Sequence, residues 1–364
     1  RVAGASLLQL VGLVNKSFLS HDPETGRLEI HELLRQYAQE RLDKMPETGI
    51  SIHELHAAYY TAFMGQRWDH LKSARQMLAL AEIEADIENV RAAWRYYIDR
   101  RNASQLLKFI HCLWYVYWIR WWNHGGMELF AEAVKIFQGE VGEESAVLRA
   151  LAMAYQGYFM AWMDLADQGY LLAEESVAIL QHMDDPVALV MAYDSLVLNA
   201  YFLNLFAEEI DASSNMLAIA AKLDDKWLLA FTLFGVCMSA LIKGDSSEAR
   251  RLAESNLELY QEIGDKIGST IPLIVLGHAA LVGGEYELAK GYYLRSLEIS
   301  RQFGFHYSVQ TSSKYLGKVT LSLGQIAEAE NYLAISLWIS YEIGFVRDVI
   351  NLLYEYARLR EAQG

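Results

Sequence analysis

The chain has 364 residues, of which 53% are hydrophobic and only 4 are proline, a composition that suits a mainly helical protein with a large core. Its formal net charge of −15 argues against direct nucleic-acid binding, because binding to phosphate backbones needs clustered Lys and Arg. Two cysteines cannot form a disulfide framework and no signal peptide is recognisable, so we expect the chain to work in the cytoplasm.

Residues 1–48 are predicted to form a small unit of their own. The apolar spacing of LLQLVGLVNKSFL (7–19) is typical of a helix, and residues 27–30 alternate as in a β-strand. Between them, Asp-Pro-Glu-Thr-Gly at 22–26 has the composition of a tight turn. A helix, a hairpin wing and a second helix together make a winged-helix unit.

Residues 49–146 are predicted to form a helical connector, and this connector contains an aromatic stretch. CLWYVYWIRWWNHGG (112–126) has six aromatic residues in its first eleven positions. It is no membrane span, because the apolar run contains Arg120 and is shorter than the roughly 18 residues that a span needs. A helix that is apolar on all sides is normally buried on all sides. We therefore interpret the stretch as a buried helix that joins the connector to the C-terminal part of the chain, with a ligand cage as the alternative.

From residue 147 onward the sequence repeats with a period of 40 residues. The repeated positions are Gly244, Gly284 and Gly324; Ala249, Ala289 and Ala329; and Gly264, Gly304 and Gly344. In the two earlier repeats, Asp164 and Asn204 take the first of these positions, and Asp184 and Asp224 take the third.

Each repeat is predicted to be a pair of helices. The first helices are expected to start near 147, 187, 227, 267 and 307, and a left-handed turn residue is expected at the Gly244 position. The second helix of each pair is expected to run to the stop at the Gly264 position, which Asp184 and Asp224 occupy in the earlier repeats. A lone helix pair cannot bury its apolar stripe, so about five pairs and a C-terminal helix should stack into a right-handed α-solenoid over 147–364.

The repeats resemble the tetratricopeptide repeat (TPR) family. That family places Leu-Gly in the first helix, a small residue early in the second, and then an aromatic and another small residue. The matching residues are Leu276-Gly277, Ala289, Tyr293 and Ser296, and again Leu316-Gly317, Ala329, Leu333 and Ser336. The period of 40 exceeds the usual 34, and the proline that closes the unit is missing. The resemblance implies a mainly α fold with a TPR-like αα-superhelix of long helices.

Three stretches resemble a second family. LVNKSFL (13–19), IHELLRQYAQERL (30–42) and EADIENVRAAW (84–94) are similar to the region that links the nucleotide-binding module to the repeats in bacterial STAND ATPases. These signal-transduction regulators are related to NB-ARC proteins, and in them a winged helix follows the ATPase core and TPR-like repeats follow the winged helix.

The STAND resemblance implies a role for one histidine. In that family the His of a Met-His-Asp-like triplet contacts the phosphate of bound ADP and latches the inactive state. The matching triplet here is Ile30-His31-Glu32, so His31 would contact nucleotide in the full-length protein. The alternative is that His31 is a helix-start residue that packs on the wing.

The chain contains no recognisable catalytic motif. A P-loop, G-x-x-x-x-G-K-[ST], is absent, and GDKIGST at 264–270 has the wrong spacing. His53 and His56 lack the spacing and the third ligand of a metal site, and the acidic run 82–88 is interpreted as a solvated helix start. We expect no enzyme activity, metal or cofactor in this chain, and ADP or ATP only in a nucleotide-binding module before Arg1.

The strongest candidate for function is the concave groove of the solenoid. The first helix of each pair lines this surface in TPR-like solenoids, and here it is apolar and aromatic. The predicted groove-binding residues are Tyr158, Trp162, Asp194, Tyr201, Phe202, Phe231, Phe234, Met238, His278, Lys314 and Lys318. An exposed apolar groove usually marks a binding site, whereas the same side chains could also pack inside a tightly wound superhelix or against an adjacent domain.

Two functions are consistent with these patterns. In the first, the chain is the sensing and autoregulatory arm of a STAND-type regulator, and its groove binds a protein or small-molecule inducer. The arm would then contact its own ATPase domain upstream, and neither a membrane nor nucleic acid would be a partner. In the second, the chain is a free-standing TPR scaffold whose N-terminal unit is a structural cap. The triplet at His31 and the missing initiator Met favour the first.

Overall fold

The computed structural model describes residues 4–23, 26–342 and 344–363, and most of this part of the chain is helical. The elements before the repeats are α1 (Leu7–Asn15), β1 (Ser20–His21), β2 (Leu28–Glu29), α2 (Glu32–Asp43), α3 (Pro46–Leu71), α4 (Gln76–Ala85), α5 (Ile87–Asp99), α6 (Ala103–Leu107), α7 (Ile110–Ile119) and α8 (Asn123–Ile136). The prediction of a mainly α fold is confirmed.

The repeats form five helix pairs and one final helix. These are α9 (Glu143–Ala161), α10 (Ala166–Leu180), α11 (Pro186–Leu203), α12 (Phe206–Ala220), α13 (Lys226–Ile242), α14 (Ser246–Ile263), α15 (Lys266–Val282), α16 (Tyr286–Phe303), α17 (His306–Ser322), α18 (Ile326–Glu342) and α19 (Val346–Gln363). From α11 to α17 the first helix of each pair begins one residue before its predicted start.

The N-terminal unit has the predicted order of helix, hairpin and helix. β1 and β2 pair antiparallel, and the backbone N–H of Asp22 donates to the carbonyl of Arg27 at 2.9 Å. Glu24 and Thr25 of the predicted turn lie outside the described residues. The winged-helix assignment stays a prediction.

The turn inside each helix pair contains a left-handed residue, as predicted. φ is positive at Asp164, Asn204, Gly244, Gly284 and Gly324, with values from 57° to 77°. Asp and Asn tolerate this conformation better than most residues and Gly adopts it without a steric cost, which explains why these residue types recur here.

The prediction that Asp184 and Asp224 act as helix stops like Gly264 was wrong. Gly264 is left-handed at φ 83° and directly follows α14. By contrast, α10 and α12 end several residues before the two aspartates, and their C-caps are right-handed. Without a glycine at this position, the chain leaves the helix earlier and avoids the left-handed conformation.

The aromatic helix α7 lies against the concave side of the solenoid. Its Trp114 ring stacks on Tyr155 of α9 at 5.0 Å and meets Phe231 of α13 edge-on at 5.9 Å. Trp118 meets Phe305, which precedes α17, at 4.9 Å. The prediction of a buried packing helix is therefore confirmed, and α7 contacts later repeats as well as the first. None of the helices in the described residues has the length and apolar content of a membrane span.

Two polar side chains of the connector, Gln76 and Arg120, hold it against the solenoid. The Gln76 side chain donates to Asp265 at 2.6 Å and accepts the backbone N–H of Ile267 at 3.1 Å. Arg120, at the end of α7, donates to the carbonyl of Phe303 at 2.5 Å. The connector and the third and fourth helix pairs are thus joined by hydrogen bonds between residues that are far apart in sequence.

The acidic run 82–88 is a solvated helix start only at Glu88, which is exposed in the first turn of α5, whereas Glu82 and Glu84 lie in the last turns of α4. Each of its four acidic residues pairs with an arginine: Glu82 with Arg67, Glu84 with Arg120, Asp86 with Arg27 and Glu88 with Arg91. Because α4 ends at Ala85, two of these acids lie at a helix C-terminus, where the dipole disfavours negative charge. The positive charges of the arginines offset this unfavourable interaction with the dipole. The ion pairs connect the acidic run to the hairpin, α3, α5 and the end of α7.

The Leu-Gly signature marks a close approach between two helices. A Cβ atom at Gly277 would lie 2.5 Å from a ring carbon of Tyr293, which is fully buried. We expect Gly277→Ala to lower the free energy of unfolding by about 2 kcal/mol, because a core that is already filled must shift to accept the methyl group. Urea unfolding of both proteins measures the difference.

The control is Gly291→Ala, in the exposed part of α16. No atom lies within 4 Å of a Cβ built at Gly291, so alanine there should be neutral or should stabilise by up to about 1 kcal/mol through helix propensity. Equal unfolding midpoints for the two variants would contradict the role of Gly277 in packing.

Candidate ligand-binding cavity

The concave side of the solenoid encloses a cavity of about 360 Å³. Most of its wall comes from the first helices of the pairs, α9, α11, α13, α15 and α17, and further residues come from α7, α12, α14 and α19. Pockets for small molecules typically have volumes of about 300–1,000 Å³, so this cavity has room for one small ligand.

The first and last repeats meet across the cavity. Phe202, at the end of the second pair, contacts Phe345 before α19 at 5.8 Å between ring centroids. The guanidinium of Arg347 donates to the carbonyl of Phe202 at 2.6 Å and lies 3.8 Å from the carboxylate of Asp164. The superhelix therefore closes on itself, and the concave side is a cavity instead of an open groove.

Ten of the eleven predicted groove residues line this cavity. They are Tyr158, Trp162, Asp194, Tyr201, Phe202, Phe231, Phe234, Met238, His278 and Lys314. The expectation of an exposed groove is corrected, because α7 covers much of the concave side and side chains such as Tyr158, Trp162 and Phe231 are buried. A binding role for these residues stays a prediction.

The two lysines among the predicted groove-binding residues are already paired. Lys314 donates to Asp348 at 2.7 Å, and Lys318, which does not line the cavity, lies 3.0 Å from Glu355. Both carboxylates belong to α19 and are buried. The lysines thus hold α19 against α17.

Sequence reasoning missed the parts of the wall that do not come from first-helix groove positions. The additional polar and aromatic side chains are Tyr115 and Trp118 of α7, Tyr307, Gln310 and Tyr315 of α17, and Arg347, Asp348 and Asn351 of α19. The aromatic density of α7 was a usable signal, because Trp118 both packs in the core and lines the cavity. Nothing in the sequence around the α19 residues indicated that they line the cavity.

Asp194 is the carboxylate of the wall with the poorest hydrogen bonding. Its Oδ2 atom is fully buried and has no hydrogen-bond partner. Burial raises the pKa of Asp194 from 3.8 to about 7. The pKa values of Tyr155 and Tyr158 are also raised. Burial is the main cause, and the nearby Asp194 carboxylate is the second. This side chain can change its charge near neutral pH.

Glu209 of α12, another carboxyl group in the wall, is better satisfied than Asp194 of α11. Burial raises the pKa of Glu209, but its carboxylate accepts hydrogen bonds from Ser213 at 3.0 Å and Ser239 at 3.0 and 3.1 Å, which lower it. His278 is neutral at physiological pH, since burial lowers its pKa to about 3. The indole N–H groups of Trp118 and Trp162 are buried beside Tyr158, and both act to lower the pKa of its hydroxyl group.

His31 lies away from the cavity, at the N-cap of α2. Its Nδ1 atom accepts a hydrogen bond from the backbone N–H of Leu33 at 3.3 Å, and the residue is exposed. This position agrees with a helix-start residue, and the nucleotide contact stays a prediction. His56 lies 3.3 Å from the Asn89 side chain, and the described residues contain no cluster of three or more metal-ligating side chains.

No protein-family model matches the sequence. Curated relatives are 27% identical over 272 residues and include "Putative HTH-type transcriptional regulator Rv0890c" of Mycobacterium tuberculosis (strain ATCC 25618 / H37Rv) and "Putative HTH-type transcriptional regulator Mb0914c" of Mycobacterium bovis. The match covers 72% of this chain and 30% of each relative, so the chain corresponds to less than a third of their length.

Among solved structures, NprR in complex with its cognate peptide NprX is similar, with a TM-score of 0.53, 17% identity and coverage of 74% of this chain and 75% of that chain. The STAND protein with a tetratricopeptide repeat sensor from Pyrococcus horikoshii has a TM-score of 0.49 and 13% identity, over 99% of this chain and 59% of that chain. The fold of this chain is a TPR-like α-solenoid.

The unpartnered carboxylate should make stability depend on pH. Because the folded state raises the pKa of Asp194 to about 7, it binds this proton more tightly than the unfolded chain, and stability falls as pH rises from 4 to 7. Asp194→Asn removes this loss, so the variant should gain about 3–4 kcal/mol over the native chain above pH 7 and almost nothing below pH 4.

Urea unfolding between pH 4 and 8 measures this difference, and Asp211→Asn is the control. Asp211 is an exposed aspartate on α12 outside the cavity wall, and its replacement removes the same charge without touching Asp194. If the Asp194→Asn and native curves run parallel, Asp194 is not the group that titrates.

Proposed function

We propose that this chain is the ligand-sensing and autoregulatory arm of a STAND-type transcriptional regulator, and that its cavity binds a small-molecule inducer. One observation supports this above the others: the centre of the solenoid holds a partly enclosed cavity of about 360 Å³ that is rich in aromatic side chains and whose wall includes a buried carboxylate oxygen with no partner. A protein core normally fills such space and pairs such an atom.

The closure of the superhelix favours a small molecule over a protein partner. A folded domain cannot enter a space of this size while Arg347 and Phe345 bridge the first and last repeats. A short peptide is the second candidate, because the similar NprR structure contains its cognate peptide. A peptide would need the contact between Arg347 and the carbonyl of Phe202 to open.

We further propose that the N-terminal unit is a winged helix that packs against an ATPase module upstream. Apolar side chains of α1 and α2 support this, since Leu7 is 78%, Leu8 83% and Leu33 69% exposed. Exposed apolar side chains in neighbouring elements are typical of a surface that another domain covers. A free-standing scaffold, the alternative, leaves this face without a function.

The proposed signal is a shift between closed and open forms of the arm. The cavity wall includes α7 of the connector, and α7 is joined through Arg120 to Glu84 next to the N-terminal unit. A ligand in the cavity therefore contacts the element that the N-terminal unit is attached to. The inducer shifts the equilibrium only if it binds one form more tightly than the other. The proposal includes two further points. The repeats are 40-residue TPR-like units, and the upstream ATPase module binds ADP or ATP.

The cavity is tested by native mass spectrometry of the chain after incubation with a protein-free extract of small molecules from cells that express it. We expect one bound species and a higher melting temperature, because ligand at 100 times its Kd stabilises by about 2.7 kcal/mol. Phe231→Ala/Phe234→Ala and the milder Phe234→Ala should weaken both effects. The control is Tyr286→Ala, an exposed aromatic on α16. An adduct unaffected by these cavity variants would contradict the proposal.

The nucleotide latch is tested in the full-length protein with His31→Asn. Asparagine is also a good N-cap, so this variant removes the imidazole and keeps the helix start, whereas His31→Ala removes both. We expect ADP to dissociate about 10-fold faster from both variants, since a hydrogen bond to a charged group contributes about 1.5–3 kcal/mol. Only His31→Ala should also lower stability.

The control for the latch is His53→Ala, an exposed histidine on α3. Unchanged ADP release from His31→Asn would rule out the latch. A full-length protein without a P-loop would leave the free-standing scaffold as the remaining alternative.

A further inference from the structure

We propose that the cavity ligand is a small organic cation, a monoamine with an aromatic or apolar body, whose ammonium group pairs with the carboxylate of Asp194. The inference rests on the proposed function of the cavity and names the chemical class of its ligand. Its basis is the unpaired carboxylate, the aromatic wall around it, and the pairing of the other charges.

Asp194, whose Oδ2 atom is fully buried, differs from the buried aspartates Asp265 and Asp348. Asp265 accepts hydrogen bonds from the side chains of Gln76 and Trp227 and from the backbone N–H of Gly268. Asp348 accepts from Lys314. Oδ2 of Asp194 has no donor, and an unpaired buried carboxylate costs several kcal/mol. Asp194 also lines the cavity, so a ligand ammonium that reaches its carboxylate from the cavity would supply the missing positive charge and a hydrogen bond of about 2.8 Å.

The wall around Asp194 is suited to a cation with an apolar body. Fourteen of the 31 residues that line the cavity are Phe, Tyr or Trp. Trp162 meets Tyr307 at 5.2 Å between ring centroids, and Tyr158 lies edge-on to Trp118 at 6.5 Å, so rings stand on several sides of the space. Aromatic faces attract cations, and several rings around one site form the kind of cage that binds ammonium groups.

The charges in the wall disfavour an anionic ligand. Its two basic side chains are engaged, Lys314 with Asp348 and Arg347 with Asp164 and a backbone carbonyl. The titratable groups whose pKa values Asp194 affects are Tyr155 and Tyr158 of α9 and Tyr260 of α14, and Glu209 of α12 lies in the same cavity wall. None of these four is a cation, so a bound anion would meet carboxyl groups without a free positive partner.

The test compares three probes that share one indole ring and differ in charge. Tryptamine is the cation, indole-3-ethanol is neutral and indole-3-acetate is the anion. Calorimetry with the complete chain at pH 8, where the carboxylate is ionised, should give the lowest Kd for tryptamine, at least 10-fold below that of the alcohol. Asp194→Asn should remove this preference, and the exposed control Asp211→Asn should keep it.

A second measurement does not depend on a variant. Because burial raises the pKa of Asp194 to about 7, the free carboxyl is mostly protonated at pH 6, and binding of an ammonium should release close to one proton. At pH 8 the release should be close to zero. Titrations of the native chain in two buffers with different ionisation enthalpies measure the number of protons.

The outcomes separate this inference from the proposed function. If the alcohol or the acetate binds as tightly as tryptamine, or if Asp194→Asn keeps the preference, the cation inference is wrong and the cavity can still be a ligand site. The same holds if none of the probes binds. The extract experiment tests the cavity itself, and its failure would remove the proposed function.

Discussion

The burial of the aromatic helix α7 is the constraint on which the rest of the structure depends. This helix is apolar on every side, so it needs apolar neighbours on every side, and the connector alone does not provide them. The concave faces of the first, third and fourth helix pairs provide them through Tyr155, Phe231 and Phe305. The solenoid therefore winds round α7, and its groove becomes an interior with its own core packing.

The cavity is a consequence of this winding. α7 is too short to fill the whole concave side, and the remaining space is closed by the contact of Phe202 with Phe345 and by Arg347. The second helix pair and the beginning of α19 are thus in direct contact. Asp194 makes this interior less stable than an apolar one, a cost that a ligand able to pair with it would remove.

Local regularities made much of the fold predictable. The turn glycines and the recurring Leu-Gly pairs reflect backbone conformation and helix contact within one repeat, and both act over fewer than 40 residues. The face that lines the cavity followed from the same period, which is why Tyr158, Phe231 and His278 were found. The acidic run 82–88 was misjudged, because its arginine partners come from α3, α5, α7 and the hairpin. The prediction that a helix ends at Asp184 was wrong, because a helix without a C-terminal glycine can end earlier.

The sequence by itself determined the helix pairs, their turns, the burial of α7 and the side of the solenoid on which aromatic residues collect, because each depends on spacing along one or two helices. Only the tertiary structure decided that the groove is closed, that Lys314 and Lys318 are paired with α19, and that Asp194 is left without a partner. These features depend on contacts between residues more than 30, and in the case of Arg347 more than 140, positions apart. Such contacts are set by the curvature of the whole superhelix, which no local pattern contains.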